Sequence, residues 1–86
     1  MSWGVYLVEC SDGTLYCGAT NDLKRRLKAH NGGKGAKYTR GKLPVVLMAW
    51  RDVGDQREAL RLEIKVKKAR RCRKVRVLNG ELPESG

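Results

Sequence analysis

One carboxylate is placed where a charge is costly. In the predicted second helix, Glu63 falls between Ala59 and Val66 on one side and Leu60 on the other, within the apolar arc. A charge in such a position is expensive unless it is paired or binds a metal ion. An ion pair with Lys67, one turn further along, would also satisfy it. The pattern therefore leaves two interpretations open, a metal ligand and a helix-surface ion pair.

Two further groups that could do chemistry lie on the predicted first helix. With about 100° per residue, Arg26 and His30 lie one turn apart and flank an apolar stripe of Leu23 and Leu27. An arginine at the edge of a core needs an anion, either a structural carboxylate or a bound phosphate. A histidine near a helix end can pack and cap carbonyl groups, or it can transfer protons. Three cations point away from the stripe: Lys24, Arg25 and Lys28.

The two earliest elements bring a pair of tyrosines to one surface. Residues 3–10 and 14–18 are rich in large and β-branched side chains and predict the two strands of a hairpin. Gly13, at the third position of the connection, fits a three-residue loop that ends in a left-handed residue. In that register Tyr6 and Tyr16 are diagonal neighbours on the same face of the sheet. A two-residue Asp-Gly loop would place them on opposite faces.

The middle of the chain combines capping signals with apolar runs. The segment 20–22 offers an N-cap, and the first helix is expected to run to about His30, where two glycines stop it. Residues 32–42 are rich in Gly, Lys and Arg and predict an exposed, mobile, cationic loop. The continuous apolar run over 45–50 is typical of a strand covered on both faces. We expect it to be the central strand.

The second helix is expected after a turn at 52–55, from Gln56 to about Arg71. Its middle also alternates with period two, so a strand fits the same residues, but strong helix formers and the absence of turn residues favour a helix. A chain of 86 residues cannot stabilise two separate cores. We therefore expect one domain over residues 1–78 and a flexible C-terminal tail over 79–86.

Charge and cysteine content restrict the partners and the compartment. Nineteen Lys and Arg against nine Asp and Glu give a net charge of +10. Nucleic acid is the natural partner, because basic surfaces neutralise phosphates and release condensed counterions, although an acidic protein would also match. Three cysteines without C-x-x-C pairing indicate reduced, buried thiols rather than a disulfide framework or a zinc site. With no signal peptide and no membrane-spanning run, we expect a cytoplasmic protein without membrane attachment.

Two tripeptides connect these elements to a known family. Gly4-Val5-Tyr6 and Tyr16-Cys17-Gly18 are separated by nine residues, and the helix over 21–27 follows. With an inward-facing Arg on that helix and a Glu in a later one, the arrangement resembles the GIY-YIG nuclease family over most of the chain. The segments 33–41 and 59–63 resemble its short, stand-alone members. The resemblance implies an α/β (α+β) fold in which helices flank a three-stranded antiparallel sheet, in the order β-β-α-β-α, as the elements above predict.

The resemblance also implies roles for individual residues. Glu63 matches the carboxylate that holds one divalent metal, Mg²⁺ or Mn²⁺, and Arg26 matches the arginine that neutralises charge on the phosphate in the transition state. Tyr6 and Tyr16 match the motif tyrosines, one of which deprotonates or positions the attacking water. His30 matches a position where His or Tyr supports that step. A free tyrosine titrates near pH 10, so a general-base tyrosine is expected to need nearby cations.

The implied activity is metal-dependent hydrolysis of nucleic-acid phosphodiester bonds, with DNA favoured over RNA. Ala19 stands where some repair nucleases of the family carry a lysine, which leaves one cation fewer near the site. A nucleic-acid-binding module with weak or no catalysis is therefore the alternative, and a subunit that docks on an acidic protein is a third interpretation. The cations expected to contact nucleic acid are Lys24, Arg25, Lys28, Lys34, Lys37, Arg40 and Lys67.

Overall fold

The structure, a computed structural model, describes residues 2–35 and 37–80. It contains a three-stranded antiparallel sheet with helices on both faces. The predicted α+β architecture is confirmed, with one more helix than expected. In this part of the chain no helix is long and apolar enough to cross a membrane. The elements in chain order are β1 (Trp3–Glu9), β2 (Leu15–Thr20), α1 (Leu23–Asn31), β3 (Val46–Gly54), α2 (Gln56–Lys68) and α3 (Lys74–Leu78), with short 3-10 turns at Lys37–Thr39 and Arg71–Arg73.

The hairpin of β1 and β2 has the predicted register. Tyr6 lies opposite Gly18, and Tyr16 is displaced from that pair by one position on the same face. Gly13 has a φ of 85°, and its N–H donates to the carbonyl of Cys10 at 3.0 Å, as a three-residue loop requires. The two tyrosine ring centroids are consequently 6.3 Å apart.

The central strand is β1, and β3 lies at an edge of the sheet, in the order β2-β1-β3. The expectation that residues 45–50 form a strand covered on both faces is therefore wrong. Val46, Leu47 and Met48 are 58, 38 and 47% exposed, whereas residues 5–8 of β1 are buried. Residues 5–8 and 45–50 are both continuously apolar, so hydropathy does not predict which of them forms the central strand. β1 is central because it pairs with β2 along one edge and with β3 along the other.

Each face of the sheet buries a hydrophobic cluster, and Tyr6 belongs to one of the two clusters. On one face α2 and α3 pack against Val5, Leu7 and Cys17. On the other face Tyr6 packs with Val8, Cys10, Val45 and the Leu23 and Leu27 stripe of α1. Because Tyr6 is 1% exposed, its hydroxyl is held by core packing and not by a mobile surface segment.

The chain after α2 takes part in the core. α2 ends at Lys68, not near residue 71, and α3 places Val77 and Leu78 in the cluster beneath the sheet. The basic segment 65–78 therefore also contributes buried apolar side chains: Val66, Val77 and Leu78. Residues 79–80 donate backbone hydrogen bonds to carbonyls of α3. The remainder of the expected tail, 81–86, lies outside the described residues.

The three cysteines are free thiols. Cys10 and Cys17 are buried as expected, but Cys72 is exposed, because the 3-10 turn that carries it lies on the surface. Burial, with a contribution from the charge of Glu63, raises the pKa of Cys17 to about 12. Cys17 therefore remains protonated at neutral pH and acts as an apolar packing residue.

Candidate active site

Arg26 is directed into the site by the capping of its helix. The carboxylate of Asp22 accepts the backbone N–H of Arg25 at 3.1 Å and fixes the first turn of α1. Arg26 Nε then donates to the hydroxyl of Tyr6 at 3.2 Å. Among residues 2–35 and 37–80, the ion pairs formed by carboxylates do not include Arg26. An open cleft beside the start of α1 has Arg26 in its wall.

His30 is fully buried and bonded through both ring nitrogens. Its Nε2 lies 2.9 Å from the hydroxyl of Tyr6, and its Nδ1 lies 2.9 Å from Oγ1 of Thr39. The ring is edge-on to Tyr6 and Tyr16, with centroid distances of 5.7 and 5.6 Å. Burial, and next the positive charge of Arg26, lower the pKa of His30 below its ordinary value. His30 is therefore a neutral imidazole at neutral pH.

The lowered pKa of His30 predicts a pH dependence of stability. The groups that face the ring are Tyr6, Tyr16 and Thr39, and the positive charge of Arg26 acts on it. In the unfolded chain His30 gains a proton below about pH 6.5, which the folded state resists. The free energy of unfolding should thus be level above that pH and fall below it. Denaturant titrations across this window test it, and His30→Gln, which removes the single histidine of the chain, should flatten the slope.

The loop before β3 is less exposed than predicted. Lys34, Lys37 and Arg40 are exposed as expected, but Thr39 is buried, because the 3-10 turn at Lys37–Thr39 points it toward His30. Sequence reasoning missed this residue, since nothing in a run of Gly, Lys and Arg separates one threonine from the polar residues around it.

Asn31 was also missed, although it ties the end of α1 to the start of β3. Its Oδ1 accepts the backbone N–H of Val45 at 2.8 Å, and its Nδ2 donates to the Val45 carbonyl at 3.3 Å. The side chain thus replaces a strand partner for this residue. An Asn at a helix end, followed by glycine, predicts a helix cap. The sequence contains no pattern that indicates its contact with Val45, fourteen residues further along the chain.

Burial outweighs the cations at Tyr6. Removal from water raises the pKa of Tyr6 above its usual value, while the hydrogen bond and charge of Arg26 lower it by less. Nearby Tyr16 and Glu63 add to the increase. Arg26 alone therefore does not bring the pKa of Tyr6 below its usual value. Tyr6 carries its proton at neutral pH.

Glu63 is mostly buried and is paired with a lysine. Its side chain is 16% exposed, and Oε2 lies 2.7 Å from Nζ of Lys67. Lys67 Nζ is in turn 5.9 Å from the centroid of the Tyr16 ring, and the charge of Glu63 acts on Tyr6. The hydrogen bond that Lys67 donates to Glu63 raises the pKa of Lys67. Glu63 is thus both largely buried and paired with Lys67.

The glycines of both tripeptides make room for aromatic rings. A Cβ on Gly18 would overlap the hydroxyl and ring of Tyr6, and a Cβ on Gly4 would overlap the Trp50 ring and the Arg51 carbonyl. Each glycine therefore serves close approach and not a special φ. Without Gly18, the Tyr6 hydroxyl could not reach Arg26 and His30 in its present position.

The donor set limits how a metal ion could be held. The described residues contain no group of three or more His, Cys, Asp or Glu side chains that could bind one. Both nitrogens of His30 are engaged, which leaves the carboxylate of Glu63. Mg²⁺ and Mn²⁺ commonly keep several waters and use one or two carboxylates, so this set fits such an ion. It does not fit zinc, which needs more protein ligands.

Comparison with known proteins identifies the family. Residues 2–76 match the GIY-YIG catalytic domain. The chain belongs to the GIY-YIG family. The UPF0213 protein of Streptococcus agalactiae is 52% identical to this GIY-YIG domain over 71 residues, covering 83% of the chain and 81% of that protein. A UPF0213 protein of Nitratidesulfovibrio vulgaris is 48% identical over 66 residues, which cover 77% of the chain but 60% of the longer relative.

A solved structure supports the fold of this GIY-YIG domain. The solution structure of a UPF0213 protein from Bacillus halodurans superposes with a TM-score of 0.56 at 43% identity, covering 94% of this chain and 86% of the other. The resemblance suggested by the two tripeptides is thus confirmed. The chain has the nuclease-like fold of the GIY-YIG family.

Proposed function

We propose that this GIY-YIG domain is a divalent-metal-dependent endonuclease that hydrolyses nucleic-acid phosphodiester bonds, with DNA favoured over RNA. The observation that carries the proposal is convergence. Tyr6 from β1, Tyr16 from β2, Arg26 and His30 from α1, and Glu63 from α2 form one connected set of contacts and charges. A fold held by packing alone has no need for this combination.

Arg26 would bind the phosphate that is cleaved. Its Nε–H is donated to Tyr6, and its side chain forms part of the wall of the open cleft. The hydrogen bond to Tyr6, with further effects of Tyr16, holds the pKa of Arg26 above its ordinary value, so the charge is permanent. A fixed cation at the phosphate stabilises the negative charge that grows in the transition state.

Glu63 would hold the divalent ion through one carboxylate. When bound, such an ion supplies positive charge to the phosphate oxygens and lowers the pKa of water. Lys67 must leave Glu63 for this to happen. Its ammonium is half exposed, so it can turn to a phosphate of the substrate without a new desolvation cost.

Tyr6 and His30 would remove the proton from the attacking water together. Tyr6 cannot begin as a phenolate, because burial raises its pKa. A neutral imidazole nitrogen lies 2.9 Å from its hydroxyl, so the phenol can accept the water proton while its own proton moves to His30 Nε2. The phenol stays neutral throughout, which fits its buried position.

The exposed cations surround this site on the surface of α1, the following loop and α2. They would bind the backbone of the nucleic acid and position it, without reading sequence. All seven cations expected to do so are exposed: Lys24, Arg25, Lys28, Lys34, Lys37, Arg40 and Lys67.

A second candidate is a nucleic-acid-binding module with little or no catalysis. The observation that favours it is the 2.7 Å ion pair, because the Lys67 ammonium occupies the carboxylate that the metal needs. This candidate keeps the basic surface and gives binding that does not depend on Glu63. It also predicts that added metal ions neither change the binding of nucleic acid nor induce its cleavage.

Cleavage of a substrate panel separates these functions. The purified protein is incubated with duplex, single-stranded and branched DNA and with RNA, in Mg²⁺, Mn²⁺ or a chelator. Endonuclease activity predicts internal cuts that require the metal, and the logarithm of the binding constant should fall with log salt by about 0.9 per phosphate contacted. Salt-sensitive binding without cuts in any lane would favour the binding module. Absence of binding to every naked nucleic acid would point to an acidic protein partner instead.

A further inference from the structure

A threonine from the loop between α1 and β3 completes a chain of buried polar groups. Thr39 and His30 are both 0% exposed, and Oγ1 of Thr39 lies 2.9 Å from His30 Nδ1. His30 Nε2 contacts the hydroxyl of Tyr6, which accepts the Nε–H of Arg26. Buried polar atoms of this kind are satisfied by one another, so the direction of each hydrogen bond constrains the next.

The direction of the first bond fixes the others. A guanidinium has no acceptor atom, so the phenol oxygen of Tyr6 accepts from Arg26. The phenol proton is then donated to His30 Nε2, the partner at 2.9 Å. A neutral imidazole carries one N–H, so Nδ1 holds the proton and donates it to Oγ1 of Thr39. In the opposite tautomer Nε2–H and the Arg26 Nε–H would both donate to the phenol oxygen, and the phenol proton would lose its 2.9 Å acceptor. The Nδ1–H form is therefore favoured as long as Thr39 accepts its proton.

The same loop also encloses the His30 ring from a second side. A Cβ on Gly35 would overlap Nδ1, Cγ and the backbone of His30, so this glycine packs directly on the imidazole. Gly35 restrains the ring plane and Thr39 bonds to its nitrogen. Two residues of one loop thus hold an imidazole that α1 alone would leave free to rotate about its side-chain bonds.

We infer that Thr39 is a positioning residue that holds His30 as the Nδ1-protonated tautomer and so makes Nε2 the proton acceptor for Tyr6. The catalytic consequence rests on the endonuclease function proposed above, whereas the tautomer does not. In the reaction, one proton of water passes to the Tyr6 oxygen as the Tyr6 proton passes to Nε2. The imidazolium formed keeps its Nδ1–H on Thr39. The water oxygen bonds to phosphorus as the P–O bond to the leaving nucleotide oxygen on the opposite side breaks, and that oxygen takes a proton from solvent.

Nitrogen-15 spectra of the imidazole test the tautomer without any substrate. The chain has one histidine, so long-range proton–nitrogen correlations of labelled protein report His30 alone. Wild-type protein and Thr39→Ser should show a protonated Nδ1 and a bare Nε2 at neutral pH. Thr39→Val keeps the shape of the side chain and removes the hydroxyl, so Nε2–H should appear in its spectrum.

Kinetics of the same variants test the consequence. On a DNA substrate that the wild-type protein cuts, Thr39→Val should lower kcat roughly 10²-fold with little change in KM, within the range that acid–base catalysis contributes. Thr39→Ser should restore most of the loss.

Three results separate the two proposals. A wild-type spectrum with Nε2–H would overturn the inference even if Thr39→Val fails to fold. An unchanged tautomer in folded Thr39→Val would overturn it as well. If the spectra change as expected and no substrate is cut by the wild-type protein, the positioning role stands and the endonuclease function fails.

Discussion

Glu63→Gln should abolish metal-dependent cleavage and leave the protein folded and able to bind nucleic acid. We expect a loss of at least about 10³-fold, because this change removes the charge of the carboxylate proposed to hold the metal ion while nearly preserving its volume. The ion pair with Lys67 disappears as well, but its lysine is half exposed and regains water. Stability should therefore fall by no more than about 1 kcal/mol.

Single-turnover cleavage over a range of Mg²⁺ concentrations measures this effect, with binding and thermal unfolding followed on the same preparations. Glu58→Gln is a matched control, since Glu58 lies on the same helix, is 52% exposed and pairs with Arg61 at 3.5 Å. It should cut at the wild-type rate. Retention of cleavage within a few-fold by Glu63→Gln would mean that the metal, if used, is held elsewhere.

The parts of the site that sequence predicted are those set by local geometry. The position of Gly13 fixed the hairpin register, and the register placed Tyr6 and Tyr16 on one face. The helical repeat likewise placed Arg26 and His30 beside the leucine stripe. Periods of two and of about 3.6 residues follow from backbone geometry, so they hold whatever the rest of the chain does.

The parts that sequence did not predict depend on contacts between distant segments. Which apolar strand becomes central depends on pairing order, and β1 received β3 on its open edge. Thr39 is buried because its loop folds back over the end of α1. The raised pKa of Tyr6 follows from the packing of α1 and the loop against the sheet, which a list of neighbouring charges cannot supply.

The contacts between distant segments position the groups proposed to move protons more than the groups proposed to bind phosphate. The cations and the carboxylate that we propose to bind phosphate and a metal ion could be placed from the helix patterns. The proposed removal of a proton from water would need the hydrogen-bonded series Tyr6, His30 and Thr39, which is formed only in the folded protein. A chain with the same motifs and a different loop could therefore bind nucleic acid and cleave it poorly.

Arg26→Lys should lower kcat by about 10²- to 10³-fold even though it keeps the positive charge. A lysine has no planar fork, so it cannot donate to the Tyr6 hydroxyl and grip a phosphate with parallel N–H groups at once. Arg26→Ala should be at least as inactive. In Arg26→Ala, Tyr6 loses both the hydrogen bond and the charge that partly offset the effect of burial, so its pKa should rise further.

The neighbouring arginine supplies the control that separates this role from simple attraction. Arg25 is exposed and forms part of the same cleft, whereas the hydrogen bond to Tyr6 comes from Arg26. Arg25→Ala should weaken binding and reduce the salt slope by about one, with kcat nearly unchanged. Arg26→Ala should instead lower kcat much more than it raises KM. Equal effects of the two substitutions on kcat and KM would show that both arginines only attract the polyanion, because a group that acts in the transition state must affect kcat.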